Sequence, residues 1–446
     1  MQIIHTKKYR LTLHIIYSAI LLFFAFLVIL LTNNDTHAEQ LDFSVNIKPV
    51  LKVTIPSDTV ILDVNPTSSG VFATQDLSVK VGSNYSHGYK LYMDANGTEL
   101  VNSTTSDTIA TLPNNASGYT ENDFIVNKWG YKLPSTNYLP FVSHSEILSN
   151  TTPTNEDSTT VTFAAKVDVT QPAGSYELTL NFVAIPTYQD PTISDMYYMQ
   201  DFAHLTDTQK AGVLASMTEE EAYTLYDIRD EEDYKVSKLK DGNVWMLDNL
   251  RFSDSNYIMT EYDTNIAPGT TWKFPHSSGE WAESCTEAYI NADGKNEVIA
   301  HSGKGEGKAG TYYNFCAASS GTYCYDEKNG ASGTEYDVCP ASWRIPTGLD
   351  SGEYLGLCNS INGETCNPWA IASETFEKYE RALSTTLAGF IYNGLLNAKG
   401  SGGWFWASTP DSGNMAAMTV NTSTLSPVAS FGRMNGFSLR CIMASE

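Results

Sequence analysis

The sequence predicts three parts in order: an N-terminal signal or anchor helix, an all-β sandwich, and an α+β domain. Three observations predict them. An apolar run follows basic residues at the N-terminus, period-two alternation fills the next segment, and all seven cysteines lie at or beyond Cys285.

Lys7, Lys8 and Arg10 precede an apolar run from Ile15 to Leu31. A basic flank followed by an apolar stretch is how an export signal presents itself, because the basic end stays on the cytoplasmic side. The run lies between the about 7–15 residues of a cleaved signal core and the roughly 20 of a spanning helix. Thr36-His37-Ala38 supplies the small residues a signal peptidase requires before Glu39. Residues 1–38 are therefore a signal peptide or a membrane anchor, and the rest of the chain is extracytoplasmic. It is either membrane-attached through residues 15–31 or secreted after cleavage near Ala38. The net charge is −24 and only 17% of residues are charged. Such a surface repels phosphate backbones, and no basic cluster relieves it, so nucleic-acid binding is not expected.

Residues 40–187 read as the sandwich. Leu41, Phe43, Val45 and Ile47 alternate with polar residues, as do Leu77, Val79 and Val81, then Tyr89, Leu91 and Met93. Val161, Phe163, Ala165, Val167 and Val169 form another run, followed by Tyr176, Leu178, Leu180 and Phe182. Alternation means one buried face per strand. The turn Gln171-Pro172-Ala173-Gly174 predicts that the last two runs form an antiparallel hairpin. The stretch from Asn96 to Ser117 reads as a surface loop. Its Asn-x-Ser/Thr triplets at Asn96, Asn102 and Asn115 are no more than this composition produces by chance, and no glycan is assigned.

Residues 188–225 read as a linker with two short helices, each opened by a capping box: Thr206-x-x-Gln209 and Thr218-x-x-Glu221. From Tyr226 the texture changes to short strands, Gly-rich loops and two more helices. Asp350-x-x-Glu353 is expected to cap one that carries Tyr354, Leu355, Cys358 and Ile361. The other carries Trp369, Phe376, Tyr379, Leu383 and Leu387. Strands, helices, then strands make residues 226–446 an α+β domain.

Exported chains meet an oxidising environment, so disulfides are expected, with an odd cysteine left over. Cys316 with Cys324, and Cys358 with Cys366, each close a short local loop. Among eight histidines there is no His-x-x-x-His or His-Glu-x-x-His, and no Cys-x-x-Cys occurs, so no metal site is assigned. Gly303-Lys-Gly-Glu-Gly-Lys-Ala309 departs from a phosphate loop at both ends and has no strand pattern before it. No Gly-x-Ser-x-Gly elbow is present. No catalytic residue and no cofactor are assigned.

The C-terminal half nevertheless carries a recognisable series of blocks. They begin with Asp227-Ile-Arg-Asp230 and the stretch from Tyr234 to Leu250 that contains Trp245-Met246. They continue through Gly310-Thr-Tyr-Tyr-Asn-Phe315, Cys339-Pro-Ala-Ser-Trp-Arg-Ile-Pro-Thr347 and Gly389-Phe-Ile-Tyr-Asn-Gly394. Gly403-Trp-Phe-Trp-Ala-Ser-Thr409 and Asn435-Gly-Phe-Ser-Leu-Arg-Cys441 complete the series. In this order they resemble the Fibrobacter succinogenes major paralogous domain. The resemblance covers only the C-terminal half. It implies a C-type-lectin-like or formylglycine-enzyme-like scaffold displayed on the cell surface, and it implies no reaction. It also implies a bond between Cys339 and Cys441, which leaves Cys285 as the unpaired thiol. Many relatives have Cys where this chain has Val244, which accounts for the odd count.

Trp245, Trp343, Trp404 and Trp406 read as core pegs whose indole N–H needs a partner, with ligand stacking as the other reading for Trp404 or Trp406. Asp411 and Asn414, in a Gly/Ser loop, join Trp404 as the candidate ligand-contacting residues. The resulting expectation is a non-enzymatic surface protein whose C-terminal domain recognises a glycan or a host or neighbour cell-surface protein. The alternatives are a structural subunit of a surface layer or fibre, and an enzyme of an oxidase-like scaffold using Cys316 and Cys324.

Overall fold

The computed structural model describes residues 47–274, 309–324, 335–367, 373–411, 413–421 and 424–443, together with the backbone of three strand segments at 288–290, 296–298 and 302–304. The apolar run Ile15–Leu31, Ala38, Leu41, Phe43, Val45, Cys285, Trp369 and residues 305–308 lie outside the described residues. Among the described residues, no helix is long and apolar enough to cross a membrane. Pro49–Glu446 forms one compact unit. It is built mostly of β-strands arranged in several sheets.

Nine strands make the sandwich-like part: β1 (Leu51–Thr54), β2 (Val71–Ser83), β3 (Tyr89–Ala95), β4 (Leu100–Val101), β5 (Thr108–Thr111), β6 (Lys128–Lys132), β7 (Ser145–Asn150), β8 (Thr154–Val167) and β9 (Leu180–Pro186). One sheet has the order β1-β2-β8-β6-β5-β4 and the other β7-β3-β9. The alternating residues meet between them. Leu77, Val79 and Val81 of β2, Leu91 and Met93 of β3, and Val161 and Phe163 of β8 share one buried cluster with Trp129 and Phe141. Period-two alternation puts every second side chain on the inner face.

Two expectations fail here. The runs flanking Gln171-Pro172-Ala173-Gly174 do not form a hairpin. Both edges of β8 are already occupied, by β2 and β6, so the turn carries the chain to the opposite sheet, where β9 pairs with β3. The stretch from Asn96 to Ser117 is also not a plain loop. It contributes β4 and β5, and β5 adds in parallel to β6. Asn102 is buried because its side-chain carbonyl accepts from the backbone N–H groups of Thr104 and Thr105.

Residues 188–225 are not a loose linker. Met199 and Phe202 lie on the short 3-10 turn Met199–His204 and are fully buried in the C-terminal core, joined by Val213 of the helix Asp207–Ser216. That helix has its expected capping box: the Gln209 N–H donates to the Thr206 hydroxyl, and the Thr206 N–H donates to the Gln209 side chain. The second expected helix is replaced by strand β10 (Ala222–Tyr226). The Thr218 N–H donates to the Tyr223 hydroxyl, which in turn donates to Glu221. Tyr-Thr-Leu-Tyr favours an extended chain, and β11 (Asp233–Lys238) offers an antiparallel partner along its length.

The C-terminal part centres on the sheet β10-β11-β12-β24, with β12 at Val244–Met246 and β24 at Ile442–Met443. The end of the described chain thus pairs with a strand that lies about 200 residues earlier. Short hairpins follow β12: β13 (Met259–Thr260) with β14 (Thr271–Trp272), β15 (Ala288–Ile290) with β16 (Asn296–Val298), and β17 (Ser302–Lys304) with β18 (Thr311–Tyr313). Later come β19 (Phe390–Tyr392) with β20 (Leu395–Asn397), and the sheet β21 (Gly402–Asp411), β22 (Asn414–Asn421), β23 (Leu425–Phe431).

Two helices cover the last sheet. Glu353–Asn362 buries Tyr354, Leu355, Cys358 and Ile361, and Ser373–Leu383 buries Phe376, Tyr379 and Leu383. Leu387 packs against the same cluster beyond the end of the second helix. The first of these is not capped by Asp350. Glu353 instead pairs with Thr347: its carboxylate accepts from the Thr347 N–H, and the Thr347 hydroxyl accepts from the Glu353 N–H. A reciprocal cap has formed across a longer spacing because Arg344 already holds the Glu353 carboxylate in place.

The two halves also touch. The Tyr85 hydroxyl donates to Asp201 at 3.3 Å, while the other Asp201 oxygen accepts the Tyr197 and Tyr198 N–H groups at 2.8 Å each. The Tyr262 hydroxyl donates to Asp94 of β3.

Candidate functional site

The recognisable blocks of the C-terminal half meet in its interior, where each charged side chain is engaged by others. Arg229 and Asp227 form a two-point ion pair, Nε to Oδ1 at 2.9 Å and Nη2 to Oδ2 at 2.6 Å, with both side chains fully buried. Nη1 donates to the Thr264 hydroxyl at 3.0 Å and the Val338 carbonyl at 2.8 Å, and the guanidinium lies 4.3 Å from the Phe252 ring centre. Gln200 closes the group by donating to Asp227 and to the Asp263 carbonyl. Burial opposes the Arg229 charge, but Asp227 outweighs it and raises the guanidinium pKa. Nearby Asp230, pushed up first by burial and then by Asp227, titrates at about 6.

Asp337 is fully buried and clamps the next block. One oxygen accepts the Cys339 N–H and the other the Ile345 N–H, each at 2.9 Å. Burial pushes its pKa up to about 6 against the pull of those N–H groups. Arg440 is fully buried, and among the described residues no carboxylate touches it. It donates to the Asn249 side chain at 2.9 Å and to the carbonyls of Leu383 and Ser384. Those carbonyls end a helix, where backbone acceptors are unpaired and the local field favours a cation. Burial lowers its pKa to about 10.

Three tryptophans serve as pegs. The Trp245 indole N–H donates to Asp241, that of Trp343 to the Met199 carbonyl and that of Trp406 to the Tyr313 carbonyl, at 2.9, 2.9 and 2.7 Å. Three disulfides are present among the described residues: Cys316–Cys324, Cys339–Cys441 and Cys358–Cys366. All six cysteines are buried. Disulfides of this kind belong to an oxidising compartment, so the folded chain is extracytoplasmic. No group of His, Cys, Asp and Glu among the described residues is arranged to hold a metal ion.

The candidate ligand residues are not all brought together. Asp411 and Asn414 face each other across the β21–β22 turn, with Gly413 between them at φ +89°. Trp404 lies toward the other end of β21, opposite Thr419. Six residues of strand lie between it and Asp411, roughly 23 Å at strand rise. Trp404 is half-buried, packs at a tilt on Phe390 with ring centres 4.4 Å apart and lies back over Gly402. The sandwich contributes a shallow cleft of about 450 Å³ lined by Asn96–Glu99, Val101 and Glu177–Thr179.

The buried Asp227–Arg229 group was not anticipated as a structural centre. Asp-Ile-Arg-Asp has the composition of an exposed turn, and no local signal marks its partners Gln200 and Thr264.

No family model matches the chain, and no curated protein matches it. Among solved structures, a chain from a chaperone-usher pilus is 16% identical, matched over 35% of this chain and 99% of that one, with a TM-score of 0.19. The P pilus rod subunit PapA is also 16% identical, over 31% of this chain and 99% of that one, with a TM-score of 0.19. A family 123 glycoside hydrolase from Clostridium perfringens is 13% identical, over 33% of this chain and 29% of that one, with a TM-score of 0.17. Likeness at these scores supports no inference about what the chain does.

Proposed function

We propose that the protein is a non-enzymatic bacterial surface protein, and that residues 226–446 are a lectin-like recognition head of the Fibrobacter major paralogous type. Its ligand is an extracellular glycan or a cell-surface protein of a host or neighbour. The observation that carries this reading is the engagement of the block residues, and of Asp337 beside them, within the fold. Asp227, Arg229, Trp245, Asp337, Trp343, Trp406 and Arg440 spend their polar atoms on internal bonds. The described cleft, on the sandwich, is lined by none of them.

A frame so fully occupied supports function in its loops, which is where recognition usually resides on a rigid scaffold. The β21–β22 turn is such a loop: Asn414 is exposed and Asp411 half-exposed. The other stretch where a ligand contact is expected, between Tyr257 and Gly310, lies in good part outside the described residues. The test is a binding screen of Pro49–Glu446 against glycans and cell-surface proteins, repeated with Asp411→Ala/Asn414→Ala. Loss of a specific ligand without a change in melting temperature supports the reading. Catalytic turnover abolished by Cys316→Ser would replace it with the oxidase-like alternative.

A further inference from the structure

The seam between the sandwich and the C-terminal part is crossed by two hydrogen bonds, each from a tyrosine to an aspartate. Tyr85, in the turn between β2 and β3, donates to Asp201 at 3.3 Å, and Tyr262 donates back to Asp94 of β3. The two acceptors sit differently. Asp94 also meets the half-exposed His144 ring and the Ser143 hydroxyl. Asp201, in the 3-10 turn Met199–His204, is 3% exposed and makes no ion pair among the described residues. Its second oxygen is filled by the Tyr197 and Tyr198 N–H groups, at 2.8 Å each.

A hydroxyl without a partner is buried in the same seam. Tyr188 lies just past the end of β9, and its ring meets that of Tyr85 edge-on, with centres 6.0 Å apart. The Tyr188 hydroxyl oxygen is buried and makes no hydrogen bond. A buried polar atom left unbonded weakens the packing around it. As a carboxylate, Asp201 has no hydrogen to give that oxygen. As a carboxylic acid it has one.

We infer that Asp201 is a proton-operated latch, which on taking up a proton donates to Tyr188 and tightens the seam between the two parts. The proton enters from solvent on the oxygen that faces Tyr85, which keeps a lone pair for that hydroxyl. The direction follows from the surroundings. Burial pushes the Asp201 pKa up, and the two N–H groups that pull it down do not offset this. The ionisable groups that face it are Tyr85, Tyr188 and Tyr198, each raised first by burial, with Asp201 among the further causes. They therefore stay neutral hydroxyls while Asp201 titrates. At the far end of the same turn, burial lowers the His204 pKa to about 4, which sets the acid limit of the device. A carboxyl with a raised folded pKa contributes stability below its unfolded value and loses it as pH rises through the folded one. The seam is thus tight in mild acid and looser at neutrality. The latch governs how the head is carried and not what it binds, so the ligand reading above can fail without affecting it.

The test is hydrogen exchange of Pro49–Glu446 at the Tyr197 and Tyr198 amides, compared between about pH 7 and about pH 4.5. It is run on the native unit, Tyr188→Phe and Asp201→Asn. In the native unit, protection corrected for intrinsic exchange rises at least about threefold on acidification. Tyr188→Phe, which lacks the acceptor, matches the native unit at neutrality and loses most of that gain. Asp230 and Asp337 are unchanged in this variant, so the difference from the native unit belongs to Asp201. Asp201→Asn keeps an oxygen for the two N–H groups and supplies a permanent donor, so it is protected at neutrality as the native unit is in acid. A native seam indifferent to pH overturns the proposal. So does an equal acid gain in Tyr188→Phe and the native unit, or an Asp201→Asn seam that opens more readily than the native one at neutrality.

Discussion

Arg229 and Asp227, two residues apart in sequence, form an ion pair with both side chains at zero exposure, and the arginine also bonds the Val338 carbonyl 109 residues away. The pair ties the first block of the C-terminal domain to the loop before Cys339. Removing one partner leaves a buried charge without compensation, which costs about 3–5 kcal/mol. Asp227→Asn should therefore lower the denaturation midpoint sharply. Asp227→Leu combined with Arg229→Met should recover much of the loss, because no lone charge remains. A double variant as unstable as the single one in urea titrations would mean that the pair contributes through shape and not through charge.

Asp230 and Asp337 both titrate at about 6, above the ordinary aspartate range, so the folded state holds their protons more tightly than the unfolded chain does. A raised carboxyl pKa gives stability that is fully present below the unfolded value, about 4, and is lost as pH rises through the folded value. The unit should gain stability from these two groups on mild acidification from pH 7 toward pH 4. Asp230→Asn keeps an oxygen for the Glu232 N–H and removes the charge, so it should stabilise by about 1–3 kcal/mol at pH 7 and by nothing near pH 4. Asp337→Asn should instead destabilise at every pH by about 1–3 kcal/mol, because its amide would turn N–H groups toward the Cys339 or Ile345 N–H. Melting curves of both variants across this range separate the two cases.

The disulfides should differ in weight. Cys339–Cys441 spans 102 residues, whereas Cys316–Cys324 and Cys358–Cys366 each span 8. On loop entropy the long closure contributes roughly 4–5 kcal/mol and each short one less. Cys339→Ser/Cys441→Ser should lower the melting temperature more than either short-loop pair of substitutions. An equal or smaller shift would point to enthalpic control of these bonds.

Local patterns in the sequence were legible where local physics decides. Alternation identified Leu77, Val79, Val81, Val161 and Phe163 as inward-facing. The Thr206–Gln209 box opened a helix because nothing competed for it. The same kind of box at Thr218 did not, because β11 offered Ala222–Tyr226 a full antiparallel ladder. The partner of β8 was unreadable for the same reason, since a strand's neighbours depend on which edges other strands have taken. The Asp227–Arg229 group and the Thr347–Glu353 cap were hidden because both depend on residues brought in by folding. The candidate residues Asp411, Asn414 and Trp404 were close in sequence, and the extended course of β21 set Trp404 apart from the other two.

The sandwich and the C-terminal part should unfold as coupled units. Tyr262→Phe removes a donor and leaves Asp94 with His144 and Ser143 as neighbours. Such a loss costs about 1–3 kcal/mol where the acceptor stays buried. The expected result is faster hydrogen exchange along β3 and in residues 257–266 together. Faster exchange in one of them alone would show that the contact does not couple the two parts.

The central claim, recognition by the loops of a frame-like head, is tested most directly by pairing binding with melting for three variants of Pro49–Glu446. Asp411→Ala/Asn414→Ala should lose the ligand returned by the screen while melting as the native unit does. Trp343→Ala should cost about 3–5 kcal/mol as a large core truncation and lose binding only as it unfolds. Glu99→Ala/Glu177→Ala, in the sandwich cleft, should bind normally. Normal binding by the Asp411/Asn414 variant, together with loss in the Glu99/Glu177 variant, would move recognition to the sandwich and contradict the account.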